Sequence, residues 1–313
     1  MQNTAHTFAL WQPKQSFILG ISGGADSVCL LDVFSTLAQK HDFQLHIAHV
    51  NYRLRGKDSD RDEALVKTVA AAYGIPCTIL RPPKTSFAKS EESYRNLRYQ
   101  FFEKLRQEKN YDAIVVAHNQ DDQAETFLLR LLRGAGLAGL SAMRPKHDHI
   151  IRPLIAESRN SILAYLKDRE LFFREDGSNS DPRYLRNRIR HELIPFLEKK
   201  FQPQTKKILA DTAHLIAEDY ALLQTVTPTL KMDSAHTTTF SCQKMLSHPD
   251  AIIRHLLRAT LTPFFQKKSP PKGVVDEILK LLRSTKNKHQ AITAAGLKLE
   301  RKGDTVTLLN FQK

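Results

Sequence analysis

Over the first 200 residues, short apolar runs alternate with amphipathic stretches in the strand-helix-strand manner that gives a mostly parallel sheet covered by helices on both faces. Residues 17–21 form the first apolar run and 27–39 its helix, followed by a strand at 45–50, a helix at 60–73 and a strand at 76–80. Residues 91–109 repeat apolar positions near the 3.6 period and predict a long helix. The run 113–117, Ala-Ile-Val-Val-Ala, is short, continuous and apolar, as a parallel strand buried on both faces should be. A helix over 121–133 follows it. Its acidic start suits the positive end of the helix dipole, and Gly134 supplies a stop.

Beyond this the pattern changes. Residues 183–201 are basic and helical, and at Pro203 the character shifts, so a domain boundary is expected near residue 200, with a catalytic domain over 1–200 and a smaller α/β or α+β domain over 201–313. Residues 297–309 alternate around a Gly-Asp pair like a β-hairpin, and 269–273 has the composition of a loop. The fold class expected is therefore α/β, a doubly wound and mostly parallel sheet, with a smaller second domain.

Composition adds to this in two places. The 313 residues are 41% hydrophobic and 26% charged, ordinary for a globular chain, and no window approaches the roughly 18 uninterrupted apolar residues of a membrane span. The start, Met1 to His6, lacks a basic stretch followed by an apolar run, so the expected location is the cytoplasm. The net charge of +14 points to a polyanionic partner. The last 113 residues hold 17 Lys or Arg against 9 Asp or Glu, a net +8, more than half of the excess. Arg254, Arg258, Lys267, Lys268 and Lys272 suit this domain to binding a nucleic-acid backbone. Cys29, Cys77 and Cys242 show no paired spacing, which argues against a disulfide framework or a zinc or iron-sulfur ligand set. Composition leaves the choice between monomer and homodimer open.

The chemistry concentrates at strand ends. Ser22-Gly23-Gly24-Ala25-Asp26-Ser27 lies between the first strand and its helix, where glycines let successive N–H groups converge on an anion and the helix start adds partial positive charge. Many strand-to-helix turns need glycine only for geometry. Here hydroxyls flank the pair, and Asp26 would be awkward beside phosphate unless it held Mg²⁺. The kinase-type loop, which needs a Lys after its glycines, is absent. The second strand runs into His49-Val50-Asn51-Tyr52-Arg53-Leu54-Arg55, at the edge where doubly wound sheets bind ligands. His49 is apt for an adenosine and Arg55 for a phosphate.

After the strand at 113–117 comes His118-Asn119-Gln120-Asp121-Asp122-Gln123-Ala124-Glu125-Thr126, continuing into Leu128-Leu129-Arg130-Leu131-Leu132-Arg133-Gly134. Asp122 and Glu125 are three apart, hence neighbours on one helical face, and two carboxylates there make a socket for an ammonium group. Asp121 and His118 lie nearer the strand tip, within reach of a metal or nucleotide. Arg183, Arg186, Arg188 and Arg190 form a basic stretch able to hold an RNA backbone, beside Tyr184, which suits either base stacking or the core.

Taken together these segments resemble a known family. Ser-Gly-Gly-x-Asp-Ser is similar to the loop of the PP-loop ATP pyrophosphatases, which split ATP between the α and β phosphates. The long block from His118, with Arg152-Pro153-Leu154-Ile155, Asp176-Gly177-Ser178-Asn179-Ser180-Asp181 and Arg186-Asn187-Arg188-Ile189-Arg190, resembles the tRNA(Ile) lysidine synthases of that superfamily. In the His49 segment Tyr52 and Arg53 stand where that family has His-Gly. The resemblance implies an enzyme that joins free lysine to carbon 2 of the wobble cytidine of tRNA(Ile) with a CAU anticodon, through an adenylated intermediate, using ATP and Mg²⁺. By position it implies lysine recognition by Asp122 and Glu125, nucleotide contacts from residues 22–27, His49 and Arg55, metal contacts from Asp26 and Asp121, and tRNA contacts from the four arginines. Asp26, His118, Asp122, Glu125 and Arg190 are the candidate catalytic residues.

Three rivals share features of this pattern. A sulfur-inserting tRNA enzyme with the same loop would need a cysteine at the sheet edge, where none is expected. An amide-forming ligase acting on a small molecule does not call for the basic stretch and basic tail. A non-catalytic RNA-binding protein of this fold would tolerate loss of Asp26, Asp122 and Glu125, all of which are present.

Overall fold

The computed structural model describes residues 10–54, 56–83, 90–174, 184–228, 230, 233, 237–265, 270–286 and 289–310. The chain falls into two compact units, Met1–Ala217 and Glu218–Lys313.

The first unit runs β1 (Ser16–Gly20), α1 (Ala25–His41), β2 (Gln44–Val50), α2 (Lys57–Ala72), β3 (Cys77–Leu80), α3 (Glu91–Glu108), β4 (Ala113–Val116), α4 (Gln120–Leu132), α5 (Leu137–Leu140), β5 (Lys146–His147), β6 (Ile150–Ile151) and α6 (Arg159–Asp168). After α7 (Leu185–Arg188), a π-helical turn at Ile189–Leu193 leads into α8 (Ile194–Lys200) and α9 (Thr205–Val226), the helix in which the two units divide. The sheet order is β3-β2-β1-β4-β6-β5, with the last strand antiparallel to its neighbour and the other pairings parallel. The chain therefore builds outward from β1 through β2 and β3, then crosses to β4 on the other side of β1. That reversal splays the connections apart at the carboxyl ends of β1 and β4 and opens the crevice in which such sheets bind ligands.

Side-chain alternation explains why these strands read as continuous apolar runs. Phe17 and Leu19 of β1, Ile47 of β2 and Val115 of β4 face a core completed by Val28, Leu31 and Phe34 of α1 and by Ile162 and Leu166 of α6. Ile18, Ala48, Ile114 and Val116 face the opposite core, with Phe102 and Leu105 of α3. Edge-to-face contacts of Phe17 with Phe34 (5.7 Å) and Phe43 (4.9 Å) lock the first core. Phe34 is fully buried there, and Phe34→Ala would cost about 3–5 kcal/mol.

The second unit contains β7 (Thr237–Ser241), α10 (Cys242–Leu246), α11 (Asp250–Leu261), a 3-10 turn (Thr262–Phe265), α12 (Lys272–Arg283), β8 (Gln290–Ala294), β9 (Leu297–Lys302) and β10 (Thr305–Asn310). Its antiparallel sheet has the order β7-β10-β9-β8. The hairpin expected at 297–309 is β9–β10, turning at Gly303 with φ +60°. Two strands that the pattern did not announce flank it. Val275, Ile278 and Leu282 of α12 pack on Leu299, Val306 and Leu308, so this unit has a core of its own. Part of the loop expected at 269–273 lies outside the described residues, and α12 already begins at Lys272. Among the described residues no helix is long and apolar enough to cross a membrane.

Candidate active site

Beyond β1 the backbone turns at Gly23, whose φ of +92° belongs to the region glycine alone enters freely. The N–H groups of Ser22 and Gly23 both point at Ser27 Oγ (3.2 and 3.1 Å), and that hydroxyl donates to the Gly24 carbonyl (2.8 Å). Gly24 is the N-cap of α1 and offers no side-chain cap, so the first N–H groups of α1 are left for an oxygen-bearing anion. Arg174 N–H donates to the Gly23 carbonyl (3.1 Å), fixing the outer side of the turn.

The loop opens on a cleft of about 380 Å³, lined also by His49 at the end of β2, Asn51 and Tyr52 after it, Arg98, Tyr99 and Phe102 of α3, and His118 after β4. His49 is buried, and its Nδ1–H donates to the Ile21 carbonyl (2.8 Å), which ties the tip of β2 to the glycine loop and leaves Nε2 buried without a partner. Burial pushes its pKa down, so it is a neutral acceptor at the wall of the crevice. His118 is held further below its ordinary value by burial and by the charges of Arg152, Arg95, Arg98 and Arg186. Since Arg152 Nε donates to its Nδ1 (3.3 Å), its proton sits on Nε2.

Asp26, in the first turn of α1, is drawn toward the neutral form by burial, while Arg159 works the other way. Its Oδ1 accepts from Arg159 Nη1 (2.6 Å) and from Asn119 Nδ2 (3.1 Å). Asn119 also caps α4 reciprocally with Asp122: Asp122 N–H donates to Asn119 Oδ1 (3.0 Å) and Asn119 N–H to Asp122 Oδ2 (3.1 Å). One side chain thus couples Asp26 to the carboxylates of α4. Asp122 and Glu125 share the face the spacing predicted, and between them hold two guanidiniums. Arg186 binds Asp122 (3.0 Å) and Glu125 (2.8 Å), and Arg190 binds Asp122 (3.3 Å) and both oxygens of Glu125.

The basic stretch from 183 to 190 is accordingly divided. Arg186 and Arg190 turn inward, where burial opposes the Arg190 charge and the Glu125 carboxylate more than compensates. The π-helical turn, closed by Ile194 N–H on the Ile189 carbonyl, precedes Pro195, which has no N–H to offer an ordinary α turn. Arg188 faces solvent, with Glu192 at 3.7 Å. Arg55, Arg183 and the segment 176–181 lie outside the described residues.

The two carboxylates expected to share a metal are not brought together. Asp121 turns away from the cleft to Lys206 (2.8 Å) and the Arg159 N–H (3.3 Å), so an arginine, bonded to each, stands between it and Asp26. Among the described residues no group of three His, Cys, Asp or Glu side chains is arranged to hold an ion. Mg²⁺ keeps most of its shell in water and phosphate and needs only one or two protein carboxylates. Asp26, a hard oxygen donor on the cleft wall next to the glycine loop, fits that demand alone. The three cysteines are free, and burial raises all their pKa values, that of Cys29 to about 12. Arg254 of the second unit is paired with Asp276, and Lys267 and Lys268 lie outside the described residues.

Asn119, Arg159, Arg174, Arg98 and Tyr99 escaped the sequence reading. Asn119 had a signal, since Asn followed three residues later by Asp is a capping pattern. At position 53 the φ is +54°, left-handed, where the resembling family has Gly; the Arg53 N–H donates to Asn51 Oδ1 (2.9 Å), which supports that turn. Tyr52 donates to the Tyr94 carbonyl (2.7 Å) and stacks edge-on with that ring, so it is anchored on α3.

Comparison with known proteins agrees with this architecture. The PP-loop domain family matches residues 1–197. A tRNA(Ile)-lysidine synthase of Geobacter sulfurreducens is 42% identical over 221 residues, covering 68% of this chain and 46% of that one. One from Chlorobaculum tepidum is 41% identical over 189 residues, covering 59% and 57%. One from Clostridium acetobutylicum is 30% identical over 296 residues, covering 91% and 64%. The chain thus spans about half to two thirds of the length of these curated relatives. Among solved structures, a U34-tRNA thiolase from Methanococcus maripaludis with its 4Fe-4S cluster superimposes with a TM-score of 0.57 at 19% identity, covering 69% of this chain and 77% of that one, a likeness of fold.

Proposed function

We propose that the chain, a member of the PP-loop family, whose fold uses ATP, is a tRNA(Ile)-lysidine synthase, joining the ε-amine of free L-lysine to carbon 2 of the wobble cytidine of tRNA(Ile) with a CAU anticodon. The observation that carries the reading is the linkage of Asp26, Asn119, Asp122 and Glu125. It ties Asp26, at the glycine loop, to a pair of carboxylates that Arg186 and Arg190 hold in this structure and whose cation a lysine ammonium would replace, close to where an amine must meet a carbon with an adenylated oxygen.

The glycine loop and the start of α1 hold the β and γ phosphates, leaving the α phosphorus open to the cytidine oxygen on carbon 2. That oxygen forms the new P–O bond as pyrophosphate leaves. The lysine amine, neutral after losing a proton, then attacks carbon 2, and AMP departs with the oxygen. Asp26 would hold Mg²⁺, which would supply positive charge at the phosphates. Arg159, already bonded to Asp26, adds a second positive group at the same point, and His118 presents Nε2–H as a neutral donor toward charge developing in the cleft. Asp122 and Glu125 orient the lysine by its amino group.

The test is incubation of the protein with ATP, Mg²⁺, labelled lysine and the CAU-anticodon tRNA. Incorporation of lysine with release of AMP and pyrophosphate is expected. Absence of incorporation under conditions where the tRNA is bound, or activity with a sulfide donor instead, would overturn the reading. Asp122→Asn, which keeps the cap of α4, should raise the lysine KM by about 100-fold, the worth of a well-placed ion pair, with ATP affinity little changed.

A further inference from the structure

The cations lining the cleft are not alike. Arg159 has Asp26 at 2.6 Å, and Arg174 has Asp62 at 2.7 Å and Asp58 at 3.4 Å, so each is neutralised by a neighbouring carboxylate. Arg98, also on the cleft wall, has no carboxylate partner among the described residues, and neither does Arg95, one helical turn earlier. Their guanidinium carbons stand 5.5 Å (Arg95) and 5.7 Å (Arg98) from the centre of the Tyr99 ring. The ring face offsets part of two charges and none of their hydrogen-bonding capacity. Arg152, buried behind them, spends its donors on the Arg144 carbonyl (2.8 Å) and His118 rather than on a carboxylate.

Like charges gathered on one wall repel. Their field helps keep His118 neutral, and the charge of Arg95 weighs against those of both Arg130 and Arg152, to which burial is already unfavourable. A fold that merely needed these arginines as spacers would be more stable with a carboxylate among them or with apolar side chains in their place. The placement is also specific. Arg98 and Tyr99 lie on α3, which covers the sheet face opposite to α1, so the phosphate loop and Arg98, with Arg95 one turn behind it, belong to different faces of the sheet.

We propose that Arg95 and Arg98, seated on Tyr99, are a second anion subsite of the cleft and take a phosphodiester of the RNA strand entering it. This rests on the reading of an RNA substrate above and specifies how its backbone is held. With ATP phosphates at the loop on one side and an RNA phosphate at Arg98 on the other, the nucleoside between them is presented to the α phosphorus. Guanidinium groups suit this role, since their planar fork can bind two phosphate oxygens at once.

The experiment compares wild type, Arg98→Gln and Arg95→Gln, each first shown to unfold at the wild-type urea midpoint by Trp11 fluorescence. The CAU-anticodon tRNA and, separately, α,β-methylene ATP are titrated at several salt concentrations. Each substitution is expected to weaken tRNA binding by about 10-fold and to lower the slope of log Kd against log salt by about 1, with ATP-analogue affinity changed by less than about twofold. Loss of ATP-analogue affinity with tRNA binding intact would assign the arginines to nucleotide phosphates and overturn the proposal, as would no change in either. Arg98→Lys should restore part of the tRNA affinity and the full salt slope; failure to do so would count against a phosphate contact. If wild type binds tRNA and the variants lose it while lysine is never incorporated, the subsite stands and the lysine reading falls. If wild type binds no RNA, both fall.

Discussion

The ion-pair cluster on α4 allows a quantitative test of the site's construction. Glu125→Gln keeps the shape of the side chain and removes one charge from a set of two carboxylates and two guanidiniums. Glu125 is 2% exposed and accepts from Arg186 Nε (2.8 Å) and from Arg190 Nε and Nη2, the last at 3.0 Å. Removing one partner of a buried pair generally costs about 3–5 kcal/mol, because the remaining charge stays desolvated. Arg190 is 32% exposed and Arg186 16%, so water relieves part of that penalty and about 3 kcal/mol is expected. Against a typical domain stability of about 5–15 kcal/mol that is a large fraction. Trp11, the sole tryptophan, packs edge-on against Phe34 in the core of the first unit, so its fluorescence in urea follows that unit. Arg190→Gln alone should cost about 2 kcal/mol, and the double substitution less than the sum by about 2 kcal/mol, since the second change removes the orphan that the first created. Additivity within about 0.5 kcal/mol, or a Glu125→Gln effect below about 1 kcal/mol, would show that the cluster is solvated and refute the argument.

Three other outcomes follow from particular residues. Gly23→Ala places a Cβ on a residue at φ +92°, and should cost about 1–2 kcal/mol and weaken ATP by at least about 10-fold through misdirected N–H groups; an unchanged ATP affinity in a calorimetric titration would contradict the nest. Arg53→Gly removes the strain of a left-handed arginine at about 1–2 kcal/mol but restores chain entropy worth about 0.5–1 kcal/mol, so the urea midpoint should rise slightly, and a marked fall would count against the strain. His46 is buried against Thr78 and its pKa is lowered by burial to about 4, so the folded state excludes a proton that the unfolded chain takes up near pH 6.5. Its contribution is complete above pH 6.5 and is lost as pH falls toward 4, at most about 3 kcal/mol, and His46→Gln should flatten the urea midpoint over that window; an undiminished slope would assign the effect to other groups.

What the sequence disclosed and what it withheld divide by the range of the interactions. The strands of the first unit were legible because both faces are covered, so each reads as an unbroken apolar run, and the crevice followed from strand-helix alternation. The glycine loop and the Asp122–Glu125 face were legible because they depend on residues within one turn of one another. In the second unit β7 and β8 were missed: they flank the hairpin, and Thr237 to Ser241 carries a single large apolar side chain in five residues. Asp121 turns from the cleft for a related reason. Asp121 and Asp122 are adjacent in sequence, hence about 100° apart around a helix, and only Asp122 can face Asn119.

The arginines between 183 and 190 show the limit most clearly. A run of basic residues on a helix predicts a charged face, to be taken up by solvent or by RNA. A third option, burial against carboxylates, depends on α4, more than 60 residues away in the chain. It also depends on a π-helical turn set before Pro195, which no 3.6-residue period describes. Conversely, Arg95 and Arg98, which have no carboxylate partner among the described residues, lie in a helix that looked like ordinary amphipathic cover. Charge in a sequence therefore locates the cations but not the ones left to bind a ligand, because that depends on which carboxylates the fold brings to each. In this chain two arginines of the basic run are spent on the site's own carboxylates, while Arg95 and Arg98 of α3 have no carboxylate partner among the described residues.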